Sequence, residues 1–124
     1  MEEKSFRLGK QIIHEDDLKI KVEYNGEIFT LRYPNPIQKA AIEAEIARRL
    51  NGLSREAYPV DHVAMLEAHC FVENLYIPKE CPDWFQGAWV CYDEMLIAEL
   101  YAGYLRFRDN FRERIKQGKF SPTG

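Results

Sequence analysis

One stretch, LKIKVEYNGEIFTLRY over residues 18–33, narrows the folds open to this chain more than any other. Asn25-Gly26 is a residue pair that tolerates the two positive φ angles of a type I′ turn, whose twist matches that of two antiparallel strands. Folding about that turn sets Val22 opposite Phe29, Ile20 opposite Leu31 and Leu18 opposite Tyr33, six residues on one face. Lys19, Lys21, Glu23, Thr30 and Arg32 take the other face. A slip of one residue would turn every apolar side chain to water, so the pattern specifies its own register. A two-stranded hairpin is marginal alone in water, and its apolar face therefore needs a cover.

Helices are the expected cover. In PNPIQKAAIEAEIARRLNG, Asn35 is an N-cap, Pro36 opens the helix and Gln38 completes a capping box. Ile42, Ile46 and Leu50 form a stripe, and Asn51-Gly52 ends it. A second helix is expected from about Asp61 to Leu75; it is apolar on most sides, which marks the most buried element. IPKECP then breaks the chain at Pro78 and Pro82. The third helix runs from Asp93 or a little earlier to Gln117, with Gly118 as its stop. Ile97, Leu100, Tyr104, Phe107, Phe111 and Ile115 line one side of it at three- and four-residue steps. The expected architecture is α+β: a hairpin at about 18–33 packed on a bundle of three to four helices. Residues 1–17 are expected to be an irregular arm, in which SFRL could form a short edge strand. Residues 18–118 are read as a single domain and 119–124 as a loose tail.

The bulk properties exclude several classes. The chain has 124 residues, enough for one modest core, and 30% of them are charged, which is ordinary for a globular protein. A net charge of −3 argues against a general nucleic-acid binder. No apolar run approaches the roughly 18 residues that span a bilayer. The polar start MEEKSFRLGKQ has no apolar core of a leader, which predicts no secretory signal. Cys70, Cys81 and Cys91, an odd number, read as reduced cytosolic thiols.

No catalytic, cofactor or metal-binding residue emerges. Cys81 and Cys91 are ten apart and His62 and His69 seven apart, outside the short paired spacings of zinc sites. No glycine-rich phosphate cradle or strand–nucleophile–helix turn is present. The expectation is a protein without enzymatic activity, with buried thiols and partly solvated histidines.

Two features do suggest contacts. CPDWFQGAWVCYDE, residues 81–94, concentrates two Trp, a Phe, a Tyr and two Cys. Its rings can close the end of the bundle, or Trp84, Phe85 and Trp89 can form a partly exposed aromatic patch of the kind that anchors protein interfaces. Charge is the second feature. Glu56–Glu99 holds nine acidic residues and one lysine, whereas residues 106–119 hold six basic and two acidic ones. That basic end can balance the acidic middle within one fold. Yet Arg108, Arg112 and Lys116 repeat every four residues on one helix face, where like charges repel, and an acidic partner surface would relieve the cost.

Taken together, VEYNGEIFTLRYPNPIQKAAIEAEIARRLNG, then CPDWF, then DEMLIAELYAGYLRFRDNFRERI resembles the tail assembly chaperones of long-tailed, siphovirus-type bacteriophages, over about residues 18–118. The resemblance implies a non-enzymatic chaperone that binds the tape measure protein, keeps its apolar helices soluble and self-associates along it. It implies residence in the host bacterial cytoplasm and absence from the mature virion. It also implies a longer product, made by ribosomal frameshifting, whose added segment recruits the tail-tube protein; Gln117-Gly118-Lys119 can be encoded as CAG GGA AAG, which contains a slippery run in phase. Another phage structural or head–tail adaptor protein, or a small enzyme, are the rival readings. The protein-binding residues expected from the local pattern are Trp84, Phe85, Trp89, Arg108, Arg112 and Lys116, with no nucleic-acid or membrane partner.

Overall fold

The computed structural model describes residues 5–8 and 11–118. Two antiparallel hairpins and three α-helices make an α+β fold among these residues. Strands β1 (Ser5–Leu8) and β2 (Gln11–His14) form the first hairpin, and β3 (Lys19–Tyr24) and β4 (Glu27–Arg32) the second. The helices are α1 (Pro36–Arg49), α2 (Val60–Leu75) and α3 (Glu94–Gln117).

The β3–β4 hairpin has the register that its alternation requires. Val22 pairs with Phe29 and Ile20 with Leu31, and the turn residues Asn25 and Gly26 have φ of 50° and 81°. All four inward side chains are buried, each contributing about 1.5–3 kcal/mol relative to exposure. On the other face, where Thr30 pairs with Lys21 as the alternation requires, Thr30 is nevertheless buried. The chain leaving α2 folds beside β4: Tyr76 bridges Leu31, and the Ile77 N–H donates to the Thr30 carbonyl at 2.9 Å. Lys19, on the same hairpin, reaches Glu80 at 2.8 Å.

Each helix begins and ends where its chemistry dictates. The Gln38 N–H donates to Asn35 Oδ1 at 2.8 Å and the Asn35 N–H to Gln38 Oε1 at 3.0 Å, closing the capping box of α1. Asn51 and Gly52, both in the left-handed region, end that turn. Helix α2 buries Val63, Ala68, Cys70, Phe71, Val72 and Leu75, and packs on α1, α3 and β4, which makes it the central element. Helix α3 starts at Asp93, whose Oδ1 accepts from the Leu96 N–H at 3.1 Å, and stops at Gly118 with φ of 67°.

Helix α3 also carries β3, and the crossing point is Gly103. A Cβ at Gly103 would lie 2.5 Å from Val22 Cγ2, so the hairpin approaches the helix backbone where a side chain is missing. Tyr104, Leu100 and Ile97 of the same helix belong to the buried cluster that holds Val22.

Among the described residues before Leu18 the chain is regular rather than irregular, and SFRL does form a short strand. The first hairpin occupies 5–8 and 11–14, a 3-10 turn spans Glu15–Leu18, and Ile13 packs on Phe111 with Leu18, Tyr33, Phe107 and Ile115 around them. The physical reason is the C-terminal half of α3, which extends past the β3–β4 hairpin and would otherwise expose its apolar stripe. The loose tail expected at 119–124 lies outside the described residues.

Replacing Gly103 by Ala gains about 1 kcal/mol of helix propensity, but it forces a methyl group into Val22 at an overpacking cost of about 1–3 kcal/mol. Urea unfolding is therefore expected to show Gly103→Ala less stable than wild type, and Gly103→Ala with Val22→Ala less destabilised than the sum of the single changes. A Gly103→Ala protein as stable as wild type would show that the hairpin does not seat on this glycine.

Candidate docking surface

Between α2 and α3 the chain from Cys81 to Asp93 has no regular element, yet it is held at several points. Pro82-Asp83 turns the chain, with the Phe85 N–H donating to the Pro82 carbonyl at 2.9 Å. Further along, the Ala88 N–H donates to Glu73 Oε1 at 2.8 Å, and Ala88 itself is fully buried. Gly87 beside it has φ of 115°, and a Cβ there would lie 2.6 Å from the same carboxylate oxygen. The positive φ calls for glycine here, and the carboxylate could make room for a side chain only by moving from the Ala88 N–H. Glu73, reaching out from α2, thus pins the middle of the loop.

That anchoring sorts the aromatic residues into two groups. Phe85 is only 4% exposed and meets Phe29 and Tyr76 edge-on, at 5.4 and 5.2 Å between ring centres. It is a core ring joining the hairpin to the end of α2 and meets the surface only in the wall of a hollow beside Trp84, so its expected place in an exposed patch is corrected. Trp84 and Trp89 do remain outside. Trp84 stands edge-on to Phe29 at 5.8 Å, and its Nε1–H donates to both oxygens of Glu27 at 3.1 Å. Trp89 has His69 at 5.0 Å and the Arg49 guanidinium carbon at 4.3 Å from its ring centre, a cation–π contact. His69 is oriented from behind: Nδ1 lies 2.8 Å from the Met65 carbonyl, which can only accept, so that nitrogen carries the proton.

Three residues that the sequence pattern did not single out extend this face. Trp84 is 54% exposed, Trp89 42%, Val90 67%, Met95 66% and Tyr92 fully exposed. A hollow of about 220 Å³ connects Trp84, Val90 and Tyr92, and a neighbouring one of about 370 Å³ connects Tyr92 and Trp89 with Met65 and Leu66. Such a density of exposed large apolar side chains, on a loop fixed from behind, is the usual mark of an interaction surface. Acidic groups edge it: Glu27, Asp83, Asp93 and Glu94.

The basic stripe lies elsewhere. Arg108, Arg112 and Lys116 are on the C-terminal half of α3, whereas the aromatic face adjoins its N-terminus; at 1.5 Å per residue the helix is about 36 Å long. The two sets therefore do not form one site. Arg108 bonds its neighbour Asp109 at 3.2 Å, while Arg112 and Lys116 are exposed.

The 370 Å³ hollow also has His62, His69, Cys91 and Glu94 on its rim. No hydrogen bond links any two of them: the Cys91 thiol donates to the Asp93 carbonyl at 3.7 Å, and His62 stacks on Tyr58. A thiol nucleophile needs a base within hydrogen-bond reach, and none is aligned here. Among the described residues no three His, Cys, Asp or Glu side chains gather as a metal-holding group, and no helix is long and apolar enough to cross a membrane. No family model, no curated protein and no solved structure matches this chain.

The three thiols are free and unequal. Burial pushes the Cys70 thiol up to about 11 and raises that of Cys81, while Cys91 is half-buried. At pH 8 a thiol-specific reagent is expected to label Cys91 first and Cys70 only as fast as the protein unfolds. In the unfolded chain Cys70 ionises near its ordinary value of 9.0, so this thiol's contribution to stability, complete below pH 9, is expected to be lost as pH rises towards 11. Rapid native labelling of Cys70 would contradict its place in the core.

Proposed function

We propose that this chain is a non-enzymatic tail assembly chaperone of a long-tailed bacteriophage, which binds apolar helices of the tape measure protein and keeps them in solution while the tail is built. The observation that carries the reading is the exposed face of Trp84, Trp89, Val90, Tyr92 and Met95, edged by carboxylates. A rigid apolar surface of this kind shields apolar client side chains, and its acidic edge favours helices that also carry Lys or Arg. The hairpin-to-helix run through Pro34 and Pro36, the CPDWF turn and the aromatic, arginine-rich last helix are the residues behind the resemblance that supplies the client's identity. Residence in the host cytoplasm and exclusion from the finished virion follow from the same reading.

A longer, frameshifted form that recruits the tail-tube protein is part of the proposal. Gly118 supports it physically: the helix ends there in a left-handed cap, so a different continuation would leave α3 intact. The gene is expected to carry the run G GGA AAG at codons 117–119 and an open overlapping frame beyond it.

Co-expression tests the central part. The tape measure protein is expected to stay soluble beside the wild-type chain and to pellet beside a Val90→Asp, Tyr92→Ala, Met95→Asp variant. These side chains point to water, so the variant's urea midpoint should move by no more than about 0.5 kcal/mol equivalent. Equal rescue by the variant, or no rescue by wild type, would refute the reading. Stoichiometric recovery of the chain in purified virions would favour a head–tail adaptor instead.

A further inference from the structure

The far end of α3 holds a second surface of opposite character. A groove of about 550 Å³ runs between β2, the β4–α1 connection and the last turns of α3. Ile13, Leu18, Tyr33, Phe111 and Ile115 supply its apolar lining. Arg32, Lys39 and Arg112 also line it, and among the described residues no Asp or Glu does, although the whole chain is acidic. Glu15 engages Arg32 at 2.8 Å, but neither Lys39 nor Arg112 has an ion-pair partner among the described residues. The N-terminus of α1 at Asn35 and Pro36 opens into the same groove and adds its partial positive charge.

We propose that this groove is a docking site for an acidic amphipathic helix of a partner protein, with apolar side chains on the Tyr33–Phe111–Ile115 floor and carboxylates on Lys39 and Arg112. The proposal stands independently of the chaperone reading and of the aromatic face. The size fits: a groove of about 550 Å³ has room for more than one aliphatic side chain, as the i, i+3, i+4 anchors of a docked helix require. A helix suits an apolar lining because its backbone hydrogen bonds are already made, whereas an extended segment would bring unpaired N–H and C=O groups. A fatty acid would leave one side of its chain in water in a groove, while an amphipathic helix presents a polar face there. The chain's own residues 119–124, KFSPTG, bring a lysine and no acidic side chain, so they lack the charge that the rim selects.

Two synthetic helical peptides of 14 residues test this, identical in their Leu face but flanked in one by Glu and in the other by Lys. Amide shifts at Tyr33, Phe111 and Ile115 report the site, and titration gives the affinity. The Glu peptide is expected to bind at least about tenfold tighter than the Lys peptide, with the gap closing at high salt. In a Lys39→Glu, Arg112→Glu protein the preference is expected to invert, a result that misfolding cannot produce. Equal binding of the two peptides, no binding of either, or shifts confined to residues 84–95 would overturn the proposal. Binding of sodium decanoate without binding of the Glu peptide would overturn it in favour of a lipid. A sedimentation mass that rises with concentration in the absence of peptide, and no longer does so after the charge reversal, would assign the groove to a second copy and overturn it as well.

Discussion

The seating of Val22 on Gly103 is the contact on which the other surfaces depend. Where β3 crosses α3 the helix presents backbone rather than a side chain, and the valine methyl occupies the space a Cβ would need. This close approach lets a hairpin of six-residue strands bury Ile20, Val22, Phe29 and Leu31 together. Phe29 then meets Phe85 and Trp84, so the position of the hairpin sets where the 81–93 loop can lie. Glu73 holds that loop from the helix side through the Ala88 N–H. The outward display of Tyr92, Val90 and Met95 is thus the end of a chain of contacts that starts mid-helix.

Along α3 the molecule is electrically divided. Acidic groups edge the aromatic face at one end, and Lys39 and Arg112, without ion-pair partners among the described residues, border the apolar groove at the other; from Met95 to Phe111 the helix rises about 24 Å. Segregation of this kind costs an isolated helix some repulsion at Arg108, Arg112 and Lys116, and Asp109 offsets part of it.

Much of the fold was legible because local and long-range preferences agree. Asn25-Gly26 and the alternation around it specified the β3–β4 register pair by pair, Asn35 and Gln38 specified the start of α1, and Gly118 the end of α3. The first hairpin was harder to read: its strands are four residues long, and only Gly9-Lys10 between the paired ends Leu8 and Gln11 hinted at a turn. Thr30 lies on the face its alternation gives, opposite Lys21, but its burial comes from Tyr76 and Ile77, some 46 residues away, which no period-two pattern in β4 can register. The candidate site was legible only in part. Trp84 and Trp89 stand out by residue type, but whether Phe85 or Tyr92 faces water depends on how Gly87 turns the loop onto Glu73. An aromatic or aliphatic residue in an irregular segment carries no periodicity from which its direction could be read.

Hydrogen exchange on the complex with the tape measure protein tests the docking claim most directly, because it reads the bound face without altering it. The account predicts that amides of residues 84–95 slow at least about tenfold on binding, while the core of α2 keeps its own rate. A bound client that leaves 84–95 at the free rate, with protection confined to 33–39 and 111–115 or spread evenly over the chain, would contradict it.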